Sequence, residues 1–234
     1  MQQVFCSLQK KTYAVDAEAL KNAIHANINA TGKLMTKIIL GSKSPRRREI
    51  LSLFDLNFSV EIADIDEKAV SSSKIPEIYV EEIARAKGAY LLSKHKNAVI
   101  ITADTTVAYN GEFLCKPESE EDAFKMLKTL SGQLHIVSSS IVIHFEDQVH
   151  SAYENTYVTL RELSDEQILQ YIKIFKPFDK AGAYGIQDGG GILIQKIEGN
   201  FHNVVGFEVK LLEKLFGNIG INLWQHLKRP ATSA

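Results

Sequence analysis

The spacing of apolar and polar residues divides the chain into strand-like and helix-like segments. Residues 37–41, KIILG, form a short continuous apolar run of the kind a buried strand shows, and a helix is predicted to follow through Phe54. Residues 79–95 place Ile83, Tyr90 and Leu91 on one helical stripe. Residues 98–110 are rich in β-branched side chains and end at Asn110-Gly111, so a strand should close there in a tight turn. A helix over 119–130 opens on the Ser119-x-x-Asp122 spacing and stops at Ser131-Gly132. HIVSSSIVIHF and AYENTYVTLREL read as two strands around the turn EDQ. Residues 164–175 form a helix with a capping box from Ser164 and Gln167, and Pro177 lies beyond its end. GILIQKI reads as a late strand and FEVKLLEKLF as a late helix. Hairpin-paired strands beside strand–helix units predict an α/β fold, a mixed sheet with helices on its faces.

The same spacing sets the domain limits. One domain is expected over residues 35–218, with a C-terminal tail over 219–234. Residues 1–34 hold a weak stripe of Leu20, Ile24 and Ile28 that ends at Gly32. MTKIILG reads as a natural start, so residues 1–34 are expected to be a dispensable extension or the product of a misplaced start codon.

Composition narrows the functional classes. The 234 residues carry 27 Lys and Arg against 28 Asp and Glu, so no global basic field exists to hold nucleic acid, and any anion site must be local. No apolar run of about 18 residues suggests a membrane span. Cys6 and Cys115 lie far apart, which gives no disulfide framework or cysteine metal site and makes a reducing cytoplasm the simplest setting. The seven histidines lack H-x-x-x-H spacing, and neither a P-loop, G-x-G-x-x-G nor G-x-S-x-G is present.

Local chemistry starts with GSKSPRRR, residues 41–48. Ser44 suits a helix N-cap and Pro45 the first helical position, and the first turn then carries Arg46 and Arg47. Cations there oppose the helix dipole, a penalty that a phosphate would reverse; the alternative is a solvated basic turn. Because successive helical residues point about 100° apart, Arg46 and Arg47 are the candidates and Arg48 is expected in solvent. Lys87 lies on the apolar stripe between Ile83 and Leu91, so it either snorkels to the helix edge or points into a polar cleft. Asp104 interrupts an apolar strand, fitting a magnesium ligand, a general base or a turn cap. Asp64, Asp66 and Glu67 add a carboxylate cluster, and Lys116 precedes a proline on an extended loop. The small-residue stretch around Tyr184 and Gln187 permits close backbone approach to a ligand or another chain.

Seven blocks in this order resemble the Maf family of nucleoside triphosphate pyrophosphatases, from Lys37 to Leu215: SKSPRRREIL, DIDEKA, ARAKGA, ADTTVAYNGEFLCKP, MLKTLSGQLHIV, PFDKAGAYGIQ and NVVGF. The resemblance implies an elongated, bent mixed β-sheet flanked by helices, two lobes around a central cleft as in inosine triphosphate pyrophosphatases, and a homodimer. It implies magnesium- or manganese-dependent cleavage of a nucleoside triphosphate to the monophosphate and pyrophosphate. By position, Ser42, Arg46 and Arg47 match the phosphate-binding loop, Lys87 and Lys116 the phosphate-contacting lysines, and Glu67 an acidic residue on the metal side. Asp104 matches the proton acceptor, and with Glu67 it would hold the metal. Arg46, Thr105 and Gln187 match positions tied to substrate choice, in the pattern of the dTTP and UTP branch; the 7-methyl-GTP branch ranks second, and a non-catalytic nucleotide-binding regulator of cell division is the rival outside enzymes. Gly41, Lys176 and the Phe207-Glu208 pair depart from the family's usual residues, which leaves the phosphate and metal positions unaltered.

Overall fold

Seven strands form one sheet in the computed structural model, which describes residues 36–187 and 189–228. Residues 1–34, with the Leu20–Ile28 stripe, lie outside the described residues. The sheet order is β2 (Phe58–Val60), β1 (Ile38–Gly41), β3 (Val99–Tyr109), β5 (Leu134–Phe145), β6 (Gln148–Leu160) and β7 (Ile194–Glu198). The short β4 (Glu112–Leu114) pairs with β3 outside this path. β1 runs parallel to β2 and β3, and every other pairing is antiparallel, so the expected mixed sheet is present.

The helices are α1 (Pro45–Leu51), α2 (Glu67–Val70), α3 (Pro76–Lys94), α4 (Glu120–Leu130), α5 (Asp165–Phe175), α6 (Phe201–Val205) and α7 (Val209–Asn218). Their starts follow the sequence signals closely. Ser119 accepts from the Asp122 amide, and Ser164 and Gln167 close the capping box reciprocally. Asn110 and Gly111 both have positive φ, as the tight β3–β4 turn demands. Lys176 ends α5 in the left-handed conformation, so this departure from the family pattern acts through the backbone at a helix C-cap. Glu208, the second residue of the departing Phe207-Glu208 pair, caps α7, its carboxylate accepting from the Lys210 amide. The short α2, β4 and α6 carry too few residues for a periodic signal. The segment expected to be a tail packs onto the body as far as Lys228: Ile219, Ile221 and Leu223 are buried, and Phe54 bridges to Leu227.

Three strands of 11 to 13 residues dominate the sheet. At about 3.3 Å per residue they run roughly 40 Å, long enough to floor two separate cores. On one face of β3, Val99, Ile101 and Ala103 join Ile141 and Ile143 of β5 beneath α1 and α7. Further along the same face, Val107 and Val137 join a second core with α4 and α5. Thr105 and Ser139, directly opposite each other, separate the two. The two-lobed shape is thus written along single strands.

α3 covers the other face, burying Val80, Ile83, Ala84, Gly88 and Leu91. It lies close: Thr102 Oγ1 donates to the Ala84 carbonyl at 2.6 Å, and a Cβ on Gly88 would stand 2.2 Å from the His144 ring. His144 and His135 are buried, and that burial lowers both pKa values to about 4, with the Arg85 charge adding to the effect at His144. Each imidazole therefore stays neutral in the fold at pH values where the unfolded chain is protonated. Their contribution is complete above about pH 6.5 and is lost as pH falls toward 4, costing about 2–3 kcal/mol for each. Urea unfolding between pH 7.5 and 4.5 should show stability falling with uptake of close to two protons, and His144→Gln should flatten that slope.

Candidate active site

β3 has an open window on one edge. β1 pairs with Val99–Thr102 and β4 with Val107–Tyr109, both on the edge opposite β5, so residues 103–106 lack a strand neighbour there. A cleft of about 750 Å³ opens at this window. It is lined by the β1–α1 loop, the first turn of α1, residues 62–65, Glu67, Lys87, Lys116, residues 179–181 and residues 184–186. Six basic and four acidic residues face it, so a nearly neutral chain presents a locally cationic cavity.

Arg47 fills part of the window and does not behave as expected. Its Nη1 donates to the Ala103 carbonyl at 2.7 Å and to Ser42 Oγ at 3.2 Å. Its Nε donates to the Gly206 carbonyl at 2.9 Å, and its Nη2 to Thr105 Oγ1 at 3.0 Å. Burial lowers the pKa of this guanidinium, against the charge of Asp104. With four bonds already made to protein acceptors, Arg47 can offer a phosphate at most a single N–H. Arg46 and Arg47, both candidates for phosphate, part here: the roughly 100° step between adjacent helical residues sends Arg47 toward the strand edge, while Arg46 stays on the cleft wall, its Nη1 3.4 Å from Asp179 Oδ2. Arg48 is exposed, as expected.

The capping expectation at Ser44 is also adjusted. Ser44 is the N-cap residue, but its side chain makes no cap bond; its amide donates to Ser42 Oγ at 3.2 Å. Ser42 Oγ therefore accepts twice, which leaves its own proton for an incoming oxygen.

On the opposite wall, Lys87 resolves to the cleft. The stripe of α3 aims it at the sheet, where its Nζ stands 2.7 Å from Asp104 Oδ1 and 2.8 Å from Glu67 Oε1. Glu67 has its pKa lowered: burial pushes it up, but the charge and hydrogen bond of Lys87, helped by Lys116 and Arg47, outweigh this. Within ADIDEKA the roles divide. Asp66 caps α2 through the Lys68 amide, Asp64 lines the cleft, and Glu67 meets Lys87. Lys116 is exposed at the cleft rim. Thr105 lines the cleft, its Oγ1 held by Arg47 and by Ser139 Oγ at 2.9 Å. Gln187 is exposed and outside the lining, although its neighbours Gly185 and Ile186 belong to it.

Several residues of the site were not singled out from the sequence. Gly206 has φ +97, and a Cβ there would stand 2.8 Å from Thr105 Oγ1. Only glycine lets the Arg47-bound carbonyl approach so closely. Ser139 Oγ donates to the Asn203 carbonyl, and Asn203 Nδ2 to the Val137 carbonyl, tying α6, which Gly206 ends, to β5. The run SSS inside an apolar strand was the available signal, since buried hydroxyls need partners. Asp179 is bridged by Lys180 at 2.6 Å and Arg46; burial raises its pKa, but the Lys180 hydrogen bond and charge lower it overall.

Among the described residues no group of three or more His, Cys, Asp or Glu stands together to hold a metal by itself. Asp104 and Glu67 nevertheless suit a hard cation, because magnesium commonly takes one or two carboxylates and completes its shell with phosphate oxygens and water.

A family model described as Maf-like protein matches residues 37–219. Similar curated proteins include a dTTP/UTP pyrophosphatase of Caldanaerobacter subterraneus subsp. tengcongensis, 46% identical over 79% of this chain and 90% of that protein. A dTTP/UTP pyrophosphatase of Thermosipho africanus is 45% identical over 74% of this chain and 88% of its own. One of Chlamydia trachomatis serovar D is 39% identical over 82% and 98% respectively.

The two arginines should separate in stability. Arg47→Ala leaves the Ala103 and Gly206 carbonyls without their donor and should cost about 2–4 kcal/mol in chemical unfolding. Arg46→Ala, which removes a long and partly exposed contact, should cost less than about 1 kcal/mol.

Proposed function

The chain belongs to the Maf-like protein family, and on that premise we propose that it hydrolyses nucleoside triphosphates, dTTP and UTP foremost, to the monophosphate and pyrophosphate. The observation that carries this reading is the pairing of Asp104 with Lys87 at the β3 window, facing a cleft lined by Arg46 and Lys116. A binding module needs the cations; a carboxylate opposite them adds a base. The choice of dTTP and UTP rests on the names of the relatives.

In the reaction, Arg46, Lys116 and Ser42 bind the phosphates and spread their charge in the transition state. Arg47 acts as a positioning residue by fixing Ser42 and Thr105 in the cleft wall. A water attacks the α-phosphorus, its bond to the bridging oxygen breaks, and pyrophosphate leaves with the electron pair. Asp104, held by Lys87 at Oδ1 in the ligand-free cleft, accepts the water's proton on its carboxylate. A magnesium or manganese ion held by Asp104 and Glu67 would supply Lewis-acid stabilisation of the phosphate oxygens and lower the pKa of bound water. The reading includes a homodimer, implied by the family resemblance, and a cytoplasmic setting, which the two widely separated cysteines favour.

Incubation with dTTP, UTP, CTP, 7-methyl-GTP and ATP in the presence of magnesium should yield monophosphate and pyrophosphate from dTTP and UTP first. Preference for 7-methyl-GTP would move the protein to the other branch, and no product from any of the five would sink the catalytic reading. Asp104→Asn should lower kcat at least about a hundredfold while KM changes little.

A further inference from the structure

Lys87 stands where a cation bridging the two carboxylates would stand. Its Nζ takes one oxygen of Asp104 and one of Glu67 at bonding distance. The side chains of Lys87 and Asp104 are each only 12% exposed, so this pair is enclosed, and the 41% exposed Glu67 covers the ammonium from the open side. Its stem rises from the buried stripe of α3, beside Ala84 and Gly88, which confines movement to the flexible end of the chain. An ammonium and a divalent ion repel, and they cannot both occupy the space between the same two oxygens. No third carboxylate, His or Cys completes the set among the described residues, so further oxygens must come with the ligand. Arg46 and Lys116 face the same cavity, and phosphate oxygens brought by them would lie within reach of the Lys87 end as alternative acceptors.

We propose that Lys87 is the resident cation of the cleft, excluding a divalent metal from Asp104 and Glu67 until a triphosphate draws its ammonium onto phosphate. The identity of the ligand rests on the function proposed above, whereas the exclusion is a property of the nucleotide-free protein. Metal and nucleotide are then coupled, each raising the affinity of the other by the same factor. The cleft assembles its full set of charges only when both are present.

The test is manganese binding to the nucleotide-free protein, followed by electron paramagnetic resonance of the unbound ion. Lys87→Met should bind manganese at least about tenfold more tightly than the wild type, and adding Glu67→Gln should abolish that gain. Equal affinity of wild type and Lys87→Met, weak or tight, overturns the proposal. Lys87→Gln, with thermal unfolding of each variant, guards against loss of the fold. On the wild-type protein, ¹⁵N NMR of the Lys87 ammonium should be unmoved by magnesium alone and should shift when α,β-methylene-UTP is added with it. A shift with magnesium alone overturns the proposal. Failure of the analogue to bind in calorimetry would sink the nucleotide reading while the manganese comparison still decides the exclusion.

Discussion

A single enclosed guanidinium holds the cleft open. Arg47 joins segments that are far apart in the chain: the β1–α1 loop at Ser42, the β3 edge at Ala103 and Thr105, and the turn after α6 at Gly206. A strand edge without a neighbour presents unpaired backbone groups, which elsewhere invite pairing with another chain. Here the Ala103 carbonyl is satisfied by a side chain, so the gap persists as a walled cavity. The cost of enclosing a positive charge is met by four acceptors and by the nearby charge of Asp104.

Around that hub the architecture is a matter of strand length. Because β3 and β5 run beneath both cores, the lobes share one floor, and the change from one core to the other falls between Ala103 and Val107 on β3 and between Ile141 and Val137 on β5. Thr105 and Ser139 mark the change. They are polar where the adjacent in-line residues are apolar, and their hydroxyls are hydrogen-bonded to each other and, through Ser139, to Asn203 of α6. Thr105 thus belongs both to the belt between the lobes and to the wall of the site, with Ser139 bonded behind it.

Much of this was readable in the residues. Spacing alone gave β1, β3, β5 and β6 and the helices α3, α4 and α5, and capping chemistry gave the starts of α4 and α5. Lys87 was visible as a charge in an apolar stripe and Asp104 as one in an apolar strand. The difference between Arg46 and Arg47 was not visible, because it depends on a carbonyl 159 residues away. Gly206, Asn203 and Asp179 escaped for the same reason: their roles come from contacts between distant segments, and no local period or cap records them. Gln187 drew attention through a motif and lies outside the lining, which shows how a short match fixes position in the chain but not orientation in space.

The close approach of Gly88 to His144 bears on the residue before it in the chain. With no side chain at 88, α3 settles against β5 until its backbone nearly touches an imidazole. That depth sets how far Lys87 must reach to the two carboxylates. Gly88 thus works as a spacer of zero thickness, a mechanical gauge for the gap between Lys87 and its two carboxylates. Any side chain placed there would act as a shim, lifting the helix and drawing the ammonium away from Asp104 without touching either charge.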